Sequence, residues 1–184
     1  ARNRLSVFLF HKVLNEKDPY FPTDIDIAGF SNMLDFIHQH FQVLPLSEAV
    51  SLLACGKLKE GGACITFDDG YQEWASGVVP ILEKRSMHAT FFITTGQFFG
   101  QPMWHERLAN VVRAATGVSL DTRAFRLPPL PIVTLEEKQA AIRSLEFHFK
   151  YLPIVIRDKY LEELEVATGA LPIKLMPMSM QQLR

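Results

Sequence analysis

The segment ACITFDDGYQEW, residues 63–74, sets the organisation of the chain. An apolar run typical of a buried β-strand ends in two adjacent aspartates, Asp68 and Asp69, followed by Gly70. Buried carboxylates are costly unless they are paired or bound to a metal, so this charge needs a reason. Because ligands of parallel α/β folds gather at the carboxyl ends of strands, the segment predicts a strand that delivers two carboxylates to a ligand site.

The geometry of this acidic pair depends on Gly70. Successive side chains of a strand point to opposite faces, so Asp68 and Asp69 would diverge if the strand continued regularly. A glycine directly after them allows a sharp turn, and we expect both carboxylates to face one pocket. Two close anions repel each other, which favours a divalent cation beside one and a general-base role for the other. The alternative is an acidic turn without a function, since aspartate is a common turn residue.

Strands and helices alternate from residue 4 to residue 117. Residues 4–10 form a continuous apolar run, which is typical of a strand covered on both faces. The alternation indicates an α/β fold with a mostly parallel sheet. We predict strands over residues 4–10, 42–46, 63–70 and 88–96, and helices over residues 28–41, 48–56, 71–85 and 104–117.

The pattern changes in the second half of the chain. Residues 123–133 are rich in proline and predict a loop. Helices are predicted over residues 134–152, opening with a capping box of Thr134 and Glu137, and over residues 155–169. We interpret residues 104–170 as a helical insertion on the α/β core and the chain, residues 1–184, as a single domain.

The composition excludes several classes of function. A net charge of -1 gives no reason to expect nucleic acid as a partner. The chain has no apolar run near the roughly 20 residues that a membrane span needs, so we expect no membrane span. The first apolar run is short and is followed by His11 and Lys12, which favours a strand over a signal peptide. A cytoplasmic location is therefore slightly favoured over export.

Several motifs resemble those of the polysaccharide deacetylase family, which includes the chitooligosaccharide deacetylases. The family motif T-F-D-D-G stands at residues 66–70, and A-T-F-F stands at residues 89–92. The opening VFLFHKV resembles the family pattern Y-H-x-V, with Phe10 in place of tyrosine and His11 matching. The end of the chain, PMSMQQLR, resembles the segment that leads into the second motif of the family.

The resemblance implies a distorted (β/α) barrel, incomplete in this chain. It also implies a metal-dependent hydrolase that removes N-acetyl or O-acetyl groups from an acetylated polysaccharide or oligosaccharide. In that family Asp68 would be the general base, and Asp69 would be a ligand of zinc or another divalent metal in the complete protein.

Three further residues are candidates for substrate binding. His11 would face the pocket from the end of the first strand, although a structural role is equally compatible with its position. Tyr71 and Trp74 closely follow the aspartates, and their rings would stack on a sugar, with core packing as the alternative for Trp74. We assign Phe91 and Phe92 to the core.

The histidine pair of the second family motif has no counterpart in this sequence. No two of the six histidines are three to five residues apart; they stand at positions 11, 38, 40, 88, 105 and 148. Since catalytic zinc usually has three protein ligands, we expect this chain to bind metal weakly or not at all and to be a truncated, inactive form. The alternative is a non-catalytic carbohydrate-binding or interaction module. An exposed edge of the incomplete barrel would allow a homodimer.

Overall fold

The structure is a computed structural model that describes residues 3–96, 102–173 and 182. The described residues divide into two compact units. The first comprises residues 3–18, 22–96 and 182, and the second comprises residues 19–21 and 102–173. The second unit overlaps the segment that we interpret as a helical insertion, and that interpretation stays a prediction.

A parallel four-stranded sheet forms the centre of the first unit. Its strands are β1 (Ser6–Phe10), β2 (Gln42–Val43), β3 (Gly62–Asp69) and β4 (Thr90–Ile93). Strand β3 is central, with β1 along one edge, β2 beside its first residues on the other edge, and β4 beside its last residues. The sheet confirms the α/β class. The strands form an open sheet in the described part of the chain, so closure into a (β/α) barrel stays a prediction.

An aromatic cluster packs one face of the sheet against helices. Phe10, Phe67 and Phe91 come from β1, β3 and β4, with ring centroids 5.3 Å apart for the first pair and 5.0 Å for the second. Phe30 and Trp74 meet Phe67 edge-on at 5.7 and 5.4 Å. Because such ring pairs combine apolar burial with favourable geometry, this cluster is the main core beneath the site.

On the opposite face of the sheet, β1 is less covered than the sequence predicts, although its neighbours Cys64 and Thr66 in β3 are buried. Val7 and Leu9 of β1 point to this face and are 53% and 52% exposed. The prediction that β1 is covered on both faces is therefore wrong. The side chains of β1 alternate between partly buried and exposed, because Ser6, Phe8 and Phe10 face the packed side and the residues between them face the exposed side.

Helices α1 (Ile27–His40), α2 (Leu46–Ala54) and α3 (Val79–Lys84) complete the first unit. The Asp26 side chain caps α1 by accepting a hydrogen bond from the backbone N–H of Gly29 at 2.7 Å. The single helix predicted over residues 71–85 is instead a π-helix, Trp74–Val78, that continues into α3. No helix in the described part of the chain has the length and apolarity that crossing a bilayer requires.

The second unit is mainly helical. It contains α4 (Trp104–Ala114), α5 (Leu135–Phe149) and α6 (Ile154–Thr168). The predicted capping box opens α5, since Thr134 and Glu137 bond reciprocally. The segment predicted as a loop partly forms a strand, because β6 (Leu130–Pro131) pairs antiparallel with β5 (Ser119–Leu120). The unit has its own core of fully buried side chains, among them Leu108, Val112, Leu145, Phe149 and Leu161.

Candidate active site

Three side chains lie in a row across the carboxyl ends of the strands. Asp68 of β3 is in register with Phe92 of β4. His11 directly follows Phe10, the last residue of β1, whose partner in β3 is Phe67, and its imidazole lies near Asp68. Paired residues of neighbouring strands point to the same face, so Asp68 and Phe92 share one face of the sheet. The distance from His11 Nε2 to Asp68 Oδ2 is 4.0 Å, which permits charge attraction when the imidazole is protonated.

The backbone turns at Asp69 itself. Asp69 has a φ of 98° and Gly70 has a φ of 96°. Positive φ is uncommon for a residue with a Cβ atom and costs about 1–2 kcal/mol. This rotation interrupts the alternation of the strand, and both aspartates line one open cleft of about 440 Å³; the turn begins at Asp69, one residue before the glycine at which we predicted it. The cleft is lined by Asp68, Asp69, Phe92, Ile93 and Thr94.

The end of β4 holds this turn in place. The backbone N–H of Thr94 donates to the carbonyl oxygen of Asp69 at 3.0 Å. The hydroxyl of Thr94 lies 3.5 Å from Oδ1 of Asp69, at the outer limit of a hydrogen bond. A Cβ atom on Gly70 would lie 3.2 Å from Cγ2 of Ile93. The turn therefore needs a glycine both for its φ and for the close approach of Ile93.

The two aromatic candidates are buried. Trp74 is 0% exposed, and its Nε1–H donates to the carbonyl oxygen of His11 at 2.9 Å. A ring without an exposed face cannot stack on a sugar, so Trp74 is a packing residue that fixes the chain where β1 ends. Tyr71 is 8% exposed, and the ammonium group of Lys12 lies 5.4 Å from its ring centroid. A substrate contact by Tyr71 stays a prediction.

Phe92 is a cleft residue that sequence reasoning missed. We assigned it to the core with Phe91, but Phe92 is 49% exposed and lines the cleft, so that assignment is wrong. The two phenylalanines lie on opposite faces of β4, and only Phe91 joins the aromatic cluster. The alternation of side chains along a strand indicated that Phe91 and Phe92 face opposite sides of the sheet. It did not show which of them faces the cleft, because that depends on the register of Phe92 with Asp68.

The two aspartates that line the cleft, and the His11 imidazole 4.0 Å from Asp68, are residue types that bind divalent metals. Carboxylate oxygen and imidazole nitrogen are common zinc ligands. Within residues 3–96, 102–173 and 182, however, no group of three or more His, Cys, Asp or Glu side chains is placed to hold a metal ion. The described residues alone therefore do not form a metal centre, and the role of Asp69 as a metal ligand stays a prediction. Burial raises the pKa of the Cys64 thiol on β3, which disfavours the thiolate that binds metals.

In a comparison with known proteins, a family profile matches this chain. The polysaccharide deacetylase profile matches residues 56–150, just over half of the chain. No curated protein sequence matches significantly. A de-N-acetylase structure from Aggregatibacter actinomycetemcomitans is 21% identical, with 78% of this chain and 50% of that chain covered and a TM-score of 0.38. The chain thus spans about half the length of that protein. The structure of IcaB from Ammonifex degensii is 21% identical, with coverage of 87% and 80% and a TM-score of 0.45.

Proposed function

Because the chain belongs to the polysaccharide deacetylase family, we propose that it is a hydrolase that removes N-acetyl, or O-acetyl, groups from a polysaccharide or oligosaccharide. One observation carries the proposal. The aspartates of the T-F-D-D-G motif lie within the residues that match the family, and both line the same open cleft. An open cleft at the end of a strand gives a polymer access to the two carboxylates.

Asp68 is proposed as the general base. Its side chain is 39% exposed, so water reaches the carboxylate directly. In N-deacetylation the carboxylate takes a proton from the attacking water as the new C–O bond forms at the acetyl carbon. The C–N bond then breaks, acetate leaves, and the sugar nitrogen takes a proton to become an amine. General-base catalysis of this kind typically contributes about 10²–10⁴-fold to a rate.

His11 is proposed as a substrate-binding residue beside that base. Its side chain is 55% exposed and lies 4.0 Å from Asp68, where an imidazole N–H can donate to a sugar hydroxyl or to the acetyl oxygen. The bond from Trp74 to the carbonyl oxygen of His11 fixes the backbone at this point.

Asp69 is proposed as a ligand of zinc or another divalent metal. Such an ion, when bound, would polarise the acetyl carbonyl and acidify the attacking water. Further ligands are not assembled among the described residues, so no step of the reaction is assigned to a metal here. What the chain does supply is a held main chain at Asp69, through the turn and the backbone bond from Thr94.

Acetate release tests this proposal. The protein is produced from its complete reading frame, including whatever that frame encodes beyond these residues, and is incubated with N-acetylglucosamine oligomers. We expect acetate release by the wild type and a loss of about 100-fold or more for Asp68→Asn. The control is Asp121→Asn, which removes an exposed carboxylate that pairs with Arg123 in the second unit. We expect this variant to keep the wild-type rate.

Two outcomes contradict parts of the proposal. An active protein in which Asp68→Asn keeps its rate shows that Asp68 is not the base. A protein that binds acetylated oligomers, with or without a chelator, yet releases acetate from neither N-acetylated nor O-acetylated polymers is a carbohydrate-binding module and not an enzyme.

A further inference from the structure

The ring of Phe92 is half exposed and lines the cleft beside Asp68 and Asp69. It is 49% exposed at the end of a strand whose neighbouring phenylalanine, Phe91, is part of the aromatic cluster. Leaving a large apolar ring half in water forgoes the stabilisation that burial would bring. Ligand sites, by contrast, are commonly lined by apolar and aromatic side chains with a few polar groups among them, which is the composition of this cleft.

The position of Phe92 relative to Asp68 is fixed by the sheet. The two residues are direct partners in the register of β3 and β4, and neighbouring strands are about 4.8 Å apart. His11 flanks Asp68 on the side of β1. A group that reacts at Asp68 therefore has an imidazole on one side and a phenyl ring on the other.

The chemistry of the cleft restricts the class of sugar that fits beside the ring. Phe92 and Ile93 offer apolar surface, and the other lining residues are the two aspartates and Thr94. A neutral N-acetylated sugar presents an apolar ring face and an acetyl methyl group to such a surface. A sugar that carries a carboxylate or a phosphate would be repelled by Asp68 and Asp69.

We infer that Phe92 is a substrate-binding residue that packs against the ring face or the acetyl methyl group of a neutral N-acetylated sugar, with the acetyl group at Asp68. This inference rests on the proposed deacetylase function. It gives the exposed ring a role: the apolar side chains of β4 contact the sugar, and the two aspartates of β3 disfavour acidic sugars.

A binding experiment tests the inference without any requirement for turnover. Binding of an N-acetylglucosamine oligomer is measured by calorimetry with a chelator present, so that metal does not contribute. We expect Phe92→Leu, which keeps an apolar side chain but removes the ring, to weaken binding about tenfold. Phe92→Tyr keeps the ring and is expected to stay within about twofold of the wild type. Circular dichroism checks that each variant is folded.

The chain offers a matched control in Phe36 of α1. Phe36 is 50% exposed, almost the same as Phe92, but it stacks on His40 and does not line the cleft. Phe36→Leu should leave oligomer binding unchanged. A second ligand comparison replaces the neutral oligomer with an oligomer of carboxylated sugars, which should bind more weakly to the wild type.

The outcomes separate this inference from the proposed function. If the wild type binds the oligomer and releases acetate while Phe92→Leu binds equally well, the inference is overturned and the deacetylase proposal stands. If binding depends on Phe92 but the complete protein releases no acetate, the sugar contact stands and the deacetylase proposal fails. A wild type that neither binds nor hydrolyses the oligomer overturns both.

Discussion

At the scale of single residues, the site depends on the backbone conformation of Asp69 and Gly70. Two consecutive residues with φ near 100° interrupt a strand that is otherwise regular. The cost falls partly on Asp69, which has a Cβ atom and keeps this conformation only because its surroundings enforce it. The backbone bond from Thr94 to Asp69 and the pairing of Asp69 with Ile93 are part of those surroundings, and Ile93 approaches the neighbouring Gly70 closely.

Gly70→Ala tests this dependence. We expect a loss of about 2 kcal/mol in the free energy of unfolding, because a Cβ atom meets both an unfavourable φ and the Ile93 side chain at 3.2 Å. Urea denaturation of the protein measures this loss in the free energy of unfolding. The control is Gly56→Ala. Gly56 also has a positive φ, 67°, but no atom lies within 4 Å of the added Cβ, so this substitution should lower the free energy of unfolding by only about 1 kcal/mol. Equal costs at the two positions would show that the contact with Ile93 is unimportant.

At the scale of elements, the sequence predicts what local interactions determine. The capping box of Thr134 and Glu137 involves residues three apart, and it begins α5 where the sequence places it. The acidic pair at the end of β3 is equally local, since the strand and its turn are adjacent in sequence. The exposure of Phe92 depends instead on pairing between β3 and β4, which no local pattern reveals. The contact of Trp74, the first residue of the π-helix, with His11 is likewise non-local, since the two residues are 63 positions apart.

A bidentate ion pair joins two helices of the second unit and gives an element-scale prediction. Arg107 of α4 donates from Nε and Nη2 to the two carboxylate oxygens of Glu165 on α6, each at 2.8 Å. The hydrogen bond with Glu165 raises the pKa of Arg107, so the guanidinium stays charged throughout the ordinary pH range. We expect Arg107→Lys to lower the free energy of unfolding of this unit by about 1–2 kcal/mol, because an ammonium group cannot form both bonds in one plane.

Thermal and urea denaturation of the second unit provide the measurement for Arg107→Lys. The matched control is Glu163→Gln, which breaks the exposed pair of Lys159 and Glu163 at 3.9 Å on α6. Exposed pairs contribute little, so the control should change stability by less than about 0.5 kcal/mol. A lysine variant as stable as the wild type would mean that the bidentate geometry contributes nothing measurable to holding α4 against α6.

At the scale of the whole molecule, each of the two units has its own buried core. Phe30, Leu34 and Phe67 are fully buried in the first unit, and Leu145 and Phe149 are fully buried in the second. Elements with separate cores often unfold as separate cooperative units. Since the proposed catalytic residues and Phe92 all belong to the first unit, the stability of the site should follow the first core.

Hydrogen exchange with detection by mass spectrometry tests this division. Leu145→Ala leaves a cavity in the second core and should cost about 2–5 kcal/mol, seen as faster exchange of amides in α4, α5 and α6. Amides of β1, β3 and β4 should keep the protection of the wild type. The reciprocal variant, Leu34→Ala in α1, should speed exchange in the sheet and leave the second unit unchanged. If either variant lowers protection equally in both units, the chain unfolds as one cooperative body, and mutations in the second unit will also weaken the cleft at Asp68.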